Sequence, residues 1–390
     1  MTTSLTLTAE QRYAAALAAL GASPGALRTI LDRSDPGEAW EAIARGRHRA
    51  DPDRRFRAKA VPQTLDRVAT ACAQAGVSVM VLGRRGYPPD LAEDRQAPAV
   101  LFSHGDVAGI GGRPRVAVVG TRSATPYGLG MAAELGRDLA RAGVVVVSGV
   151  APGINSAAQA GALGVTDGAP VVGVLGTALD VATTGLERAL REELGARGVL
   201  LSEIPPTVHS ARWRFSMRNR IIAALAHVVV VVECHHRGGS LHVVAAALAR
   251  GVTVTAVPGS VRSAASAGTN RLLVEGAVPV RDVDDVLTAV ELAIVTRPDI
   301  MPPRRPSRSS NRPASGPRAA PLGPVQSRVR QALDHDPATL EVVVRRSGLA
   351  LGDVSLALEQ LAEVGLAVGD QGWWSRPASR VGGVDQGPHP

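Results

Sequence analysis

The sequence predicts an α/β protein: a Rossmann-like, doubly wound, mostly parallel sheet, with a small helical N-terminal domain before it and a winged-helix-like domain after it. Three observations carry this. From residue 114 onward, short Val-rich runs alternate with helical stretches. The runs are apolar at successive positions, as strands are when both faces of a parallel sheet are covered. Each run is followed by Gly, Ser, Thr or Pro, on the rim where open α/β sheets bind ligands.

In chain order, residues 1–76 read as a helical domain, with apolar stretches at 14–20, 27–31 and 39–43 separated by Gly and Pro. Residues 77–297 form an extended core. Its first part, 86–106, contains Tyr87-Pro88-Pro89 and Ala97-Pro98 and reads as an irregular bridge plus one strand. Strands are expected at 115–119, 144–148, 171–175, 199–202, 228–232 and 252–257, and helices at 129–141, 186–193, 217–225 and 241–250. Residues 298–324 hold eight prolines, five arginines and one aspartate, a linker composition that cannot build a core. Residues 325–376 read as three helices at 325–333, 339–345 and 352–364, then a two-stranded wing at 366–374. This domain has five arginines against seven acids, and its third helix carries Asp353, Glu359 and Glu363 with no basic residue. Phosphate binding there is disfavoured, and a protein contact or packing role is expected. Residues 377–390 read as a disordered tail.

The whole chain has 390 residues and a formal net charge of +8, and Lys59 is the single lysine among 43 basic side chains. Arginine binds phosphate through a planar fork and never deprotonates, so the balance favours an anionic partner. Two cysteines, Cys72 and Cys234, and no signal-peptide pattern fit a reducing cytoplasm. The apolar run 228–232 is too short to span a bilayer, so no membrane segment is expected.

Two segments carry the chemistry. The first is the set of turns at the strand ends. Gly120-Thr121-Arg122-Ser123 follows the first strand, and Ser148-Gly149-Val150-Ala151-Pro152-Gly153-Ile154-Asn155 follows the second. Hydroxyls, backbone N–H groups and a helix start can face an anion at each, with Asn155 expected as an N-cap. Several such turns on one rim make a polar shelf that suits a polymer backbone better than one small ligand. The second segment is Arg212-Trp213-Arg214-Phe215-Ser216-Met217-Arg218-Asn219-Arg220, where four arginines interleave with two aromatics. Arginines hold phosphates while an aromatic stacks on a base, as single-strand binders require.

Together these segments resemble the DNA-processing protein A (DprA/Smf) family. The resemblance runs through Val119-Gly120-Thr121-Arg122 with Tyr127-Gly128, through the Ser148–Ile154 turn, Ser202-Glu203 and Arg218-Asn219-Arg220-Ile221-Ile222. It continues through Gly239-Ser240-Leu241, Val257-Pro258-Gly259, Gly268-Thr269-Asn270 and Gly276-Ala277. It covers about 113–282. It implies single-stranded DNA binding without catalysis, cofactor or metal, dimerisation through the core, and loading of the RecA recombinase in natural transformation or related recombination. By position the resemblance puts Arg122, Phe215, Arg218 and Arg220 at the DNA, and with the turns described above the residues expected to bind it are Gly120, Thr121, Arg122, Ser123, Gly149, Gly153, Arg214, Phe215, Arg218, Asn219, Arg220, Gly239 and Ser240. The chain departs from the family where Pro152 and Asn155 replace an Arg and an Asp, Gln159 a His, Ser216 a Pro and Gly238 a Ser. The family's Tyr-Pro after Leu179-Asp180 is Val181-Ala182 here.

Other readings are set against this. Gly128-Leu129-Gly130-Met131-Ala132-Ala133 fits a relaxed dinucleotide fingerprint, but it lies past the strand end, and no acid ends the second strand. Arg237-Gly238-Gly239-Ser240 is similar to the turn of phosphoribohydrolases, yet the following helix, from His242 to Leu248, has no glutamate. Nucleotide binding or processing on the same fold stays open as the alternative. Cys234-His235-His236 lacks a second ligand pair at metal spacing. Glu203 and Glu233 read as loop anchors, since neither has a paired nucleophile or base.

Overall fold

The computed structural model describes residues 6–32, 34–181, 185–209, 212–295, 300–303, 322–333, 338–364, 366–370 and 373–376. Most of the 298–324 linker, the tip of the wing and the 377–390 tail lie outside the described residues. The chain divides into two compact units, Met1–Ser307 and Arg308–Pro390.

The first unit opens with four helices: α1 (Ala9–Ala19), α2 (Pro24–Leu31), α3 (Pro36–Ala44) and α4 (Pro62–Gln74). Their starts follow local chemistry. Thr8 and Gln11 form a capping box on α1, Ser23 and Asp35 accept from the first-turn amides of α2 and α3, and proline opens α2, α3 and α4. The apolar faces of these helices bury Leu17, Ile30, Ile43 and Val68 in one cluster with Val79, Val81, Val100 and Phe102 of the first two strands. A boundary drawn at residue 76 therefore runs through a shared core.

The sheet follows, with β1 (Ser78–Val81), β2 (Val100–Gly105), β3 (Arg115–Val119), β4 (Val145–Gly149), β5 (Val171–Leu175), β6 (Val199–Ser202), β7 (Val228–Val231), β8 (Thr253–Ala256) and β9 (Val278–Pro279). The intervening helices are α5 (Pro89–Ala92), α6 (Pro126–Arg141), α7 (Ile154–Leu163), α8 (Gly185–Arg197), α9 (Arg212–Leu225), α10 (Leu241–Leu248), α11 (Ala267–Val274) and α12 (Val283–Ile294). The strand order is β1-β2-β6-β5-β4-β3-β7-β8-β9. Pairs from β6 to β9 are parallel, while β1–β2 and β2–β6 are antiparallel. All six expected strands form, within one residue of their expected ends. Strands β1 and β9, at the two edges, are additions. One face is covered by α6, α7, α8 and α12, the other by α5, α9, α10 and α11. Strand order reverses at β3, so the carboxyl ends of β3 and β7 frame the crevice typical of such sheets. Gly128 and Gly130 lie inside α6, which removes the dinucleotide fingerprint.

The second unit comprises α13 (Pro324–Ala332), β10 (Ala338–Thr339), α14 (Leu340–Ser347), α15 (Leu351–Glu363), β11 (Val368–Asp370) and β12 (Trp373–Ser375). The strands pair antiparallel in the order β10-β12-β11, a winged-helix arrangement over a core of Val329, Val343, Val354, Leu358 and Leu361. Asp353, Leu356 and Glu359 sit on the solvent side of α15. Among the described residues no helix is long and apolar enough to cross a membrane.

Helices α6 and α7 approach backbone to backbone at two glycines. A Cβ on Gly136 would collide with the Ala158 carbonyl, and one on Gly161 with the Ala133 carbonyl. Gly161→Val is therefore expected to force the pair apart and cost about 1–3 kcal/mol of unfolding free energy, measured by urea denaturation.

Candidate nucleic-acid interface

The crevice beyond β3 and β7 opens into a cleft of about 460 Å3. One wall is the turn after β3. The Gly120, Thr121 and Ser123 amides and the Thr121 hydroxyl are engaged within the protein, whereas Ser123 itself is exposed. The Gly120 N–H donates to Asn155 Oδ1 (3.2 Å), the Thr121 N–H to the Glu233 carbonyl (2.8 Å) and the Ser123 N–H to Thr121 Oγ1 (3.2 Å). Thr121 Oγ1 also pairs with His235 Nδ1 (3.2 Å). Arg122 is exposed and carries no ion pair among the described residues.

The turn after β4 packs onto the first. Gly153, with φ of 85°, is the N-cap of α7, so Asn155 is not the cap but the second residue of the helix. Its side chain bridges instead to Gly120. A Cβ at 153 would strike the Thr121 and Arg122 carbonyls, so the close approach of the two turns requires glycine. Gln159, fully buried, donates to the carbonyls of Ser148 (3.5 Å) and Val172 (3.4 Å).

The opposite wall is α9, which starts at Arg212, five residues before its expected start. The side chains of Arg212 and Trp213 lie outside the description. Phe215, Arg218, Asn219 and Ile222 line the cleft, at the i, i+4 spacing of one helix face. Phe215 is 36% exposed at the lip and lies against Gly176. Arg218 is only 8% exposed. Its Nη1 donates to the Val174 carbonyl (2.6 Å), while its Nε–H is buried without a partner. Among the described residues it has no carboxylate. Burial, and then the neighbouring charge of Arg122, bring its pKa down to about 10. Gly149 is required here because a Cβ would fall inside the Arg218 guanidinium.

Two of the arginines expected at the DNA do not line this cleft. Arg220 turns out of the cleft into a buried ion pair, both carboxylate oxygens of Glu203 lying 2.5 Å from its Nη2, and its Nη1 donates to the Gln96 carbonyl. Successive helix residues are rotated by about 100°, so Arg218 and Arg220 cannot share a face. Arg214 donates to the His209 carbonyl (2.7 Å) and lines, with Glu203 and Arg218, a small pocket behind the cleft. At the third wall, Gly239 is exposed, but the buried Ser240 hydroxyl donates to Cys234 Sγ (3.0 Å) and is turned inward. Glu233 is the loop anchor its position implies, accepting from Thr125 N–H (2.9 Å) and Oγ1 (2.5 Å) at the start of α6. His242 and Ser216 also line the cleft, although sequence reasoning passed over both; only their place beside the Gly238-Gly239 turn and within the Arg-rich helix pointed to them.

Residues 78–291 match the family model described as DNA recombination-mediator protein A, and 313–361 match the DprA winged helix domain. A sequence assigned as DprA in Mycobacterium tuberculosis is 38% identical over 287 residues, covering 71% of this chain and 68% of that one. The DNA processing protein DprA of Streptococcus pneumoniae is 37% identical over 205 residues, 53% of this chain and 71% of that one. A crystal structure of DprA from the same organism superposes with a TM-score of 0.61 at 29% identity, over 73% of this chain and 98% of that one. On sequence and fold together, this chain belongs to the DprA/Smf family of DNA recombination mediators.

Proposed function

We propose that this protein binds single-stranded DNA along the carboxyl edge of its sheet, protects it and passes it to the RecA recombinase during recombination or DNA uptake. In this reading it acts in the cytoplasm as a homodimer, by binding rather than by catalysis. The observation that carries the reading is Arg218: a cation buried in an open cleft, with a second cation beside it and, among the described residues, no carboxylate paired with either. A phosphate supplies the missing charge. Arg122 takes a neighbouring phosphate and Phe215 stacks on a base. The turn after β3 acts mainly as a scaffold, since its Gly120, Thr121 and Ser123 amides donate within the protein. Arg214, Arg220 and the Ser240 hydroxyl have structural roles.

Keeping Arg218 charged in that site costs the unliganded fold on the order of 3 kcal/mol, from its displacement below the ordinary arginine value. Because burial lowers the folded-state pKa, this cost is present in full at neutral pH and is relieved only as the pH rises through about 10 toward the ordinary arginine value. Arg218→Met is expected to raise the unfolding free energy in the absence of DNA by about 1–3 kcal/mol. The same variant is expected to weaken oligothymidylate binding at least tenfold and lower the log–log salt slope by about 0.7. Paired urea unfolding and anisotropy titrations check both.

Mobility shifts across salt concentrations are expected to show single-stranded DNA preferred over duplex. Phe215→Ala is expected to cost about 1–3 kcal/mol of binding with little change in salt slope. Equal affinity for both DNA forms, or no response to Arg218→Met, contradicts the reading.

A further inference from the structure

Ser216 and His242, which line the first cleft, also line a second one of about 470 Å3. Helix α2 contributes Gly25 and Arg28 to it, and the loop before β2 contributes Arg95 and Gln96. Three guanidinium groups converge there in different states. Arg220 is neutralised by Glu203. Arg28 is half-buried and donates through Nη1 to the Asp94, Arg95 and Ala97 carbonyls (3.3, 2.6 and 3.5 Å), with no carboxylate partner among the described residues. Arg95 is exposed, and its side chain makes no hydrogen bond or ion pair among the described residues. The acid nearest in sequence, Asp94, is occupied by Arg250 at 2.6 Å.

We propose that a single strand seated in the first cleft continues over Ser216 and His242 into this second cleft, where Arg95 takes a phosphate and the Arg28 charge reinforces it. The inference rests on the single-strand reading of the first cleft. Two clefts with shared lining residues, each holding cationic charge that no acid cancels, match a ligand whose negative charge repeats along a chain. A mononucleotide would fill only one. Arg28 also fastens α2 to the 94–97 loop, so the N-terminal helices form part of the DNA track.

The test is anisotropy binding of oligothymidylates of about 6 and about 20 nucleotides, across salt concentrations. Arg95→Glu is expected to leave the short ligand within about twofold of wild type, and to weaken the long ligand about fivefold or more with a salt slope lower by about 0.7. Arg95→Lys should recover most of the long-ligand affinity. Arg113→Glu, the same charge change at the amino end of β3, should alter neither. Arg122→Ala should weaken both lengths, which reports on the first cleft independently. If Arg95→Glu binds both lengths as wild type does, or weakens both equally, the second cleft is not on the track. If wild type binds neither length, or Arg122→Ala changes neither, the reading of the first cleft fails and this inference falls with it.

Discussion

At the carboxyl edge of the sheet a guanidinium is held out of water with no ion pair among the described residues. Buried charges in proteins are ordinarily paired, because desolvation costs more than the surroundings return. Arg218 has one backbone carbonyl, an unpartnered Nε–H and a like-charged neighbour in Arg122. Much of the local architecture keeps it there. Gly149 leaves room for the guanidinium, Gly153 lets the second turn close on the first, and Asn155 ties the two turns together through Gly120. The neighbouring acids do not relieve it. Glu203 is bound to Arg220, and Glu233 accepts from Thr125, the N-cap of α6. In the proposed reading the fold gives up stability to hold a charge that an incoming anion satisfies, as preorganised binding sites do.

The sheet was legible in the sequence because its strands are buried on both faces. Val116 to Val119, Val145 to Val147 and Val228 to Val231 leave no amphipathic ambiguity, and Gly- or Pro-bounded helices separate them. The edge strands were less legible. β1 is four residues long and β9 two, and their register depends on partners far away in sequence. The fusion of α1–α4 with β1 and β2 was hidden for the same reason, since a shared core leaves no mark on either segment alone.

The site was legible as residue types and not as directions. The Arg-rich start of α9 and the glycine turns stood out in the sequence, and the fold brings both to one cleft. Arg214, Arg218 and Arg220 are equivalent in the sequence, yet helical rotation sends them to three environments. Only the fold brings Glu203 to Arg220, His209 to Arg214 and Val174 to Arg218. Hydroxyl and amide donors at the turns were overcounted, because their partners, Asn155, Glu233, His235 and Cys234, come from other strand ends. The acidic character of α15 needed no tertiary information, because its solvent positions follow from period and composition together.

The most direct measurement is a crystal structure of the protein with an oligothymidylate, solved at moderate salt. The account predicts a phosphate oxygen within hydrogen-bond distance of the Arg218 guanidinium, a second phosphate on Arg122, and Arg220 still bound to Glu203. A strand bound elsewhere, with Arg218 donating only to Val174, would contradict it.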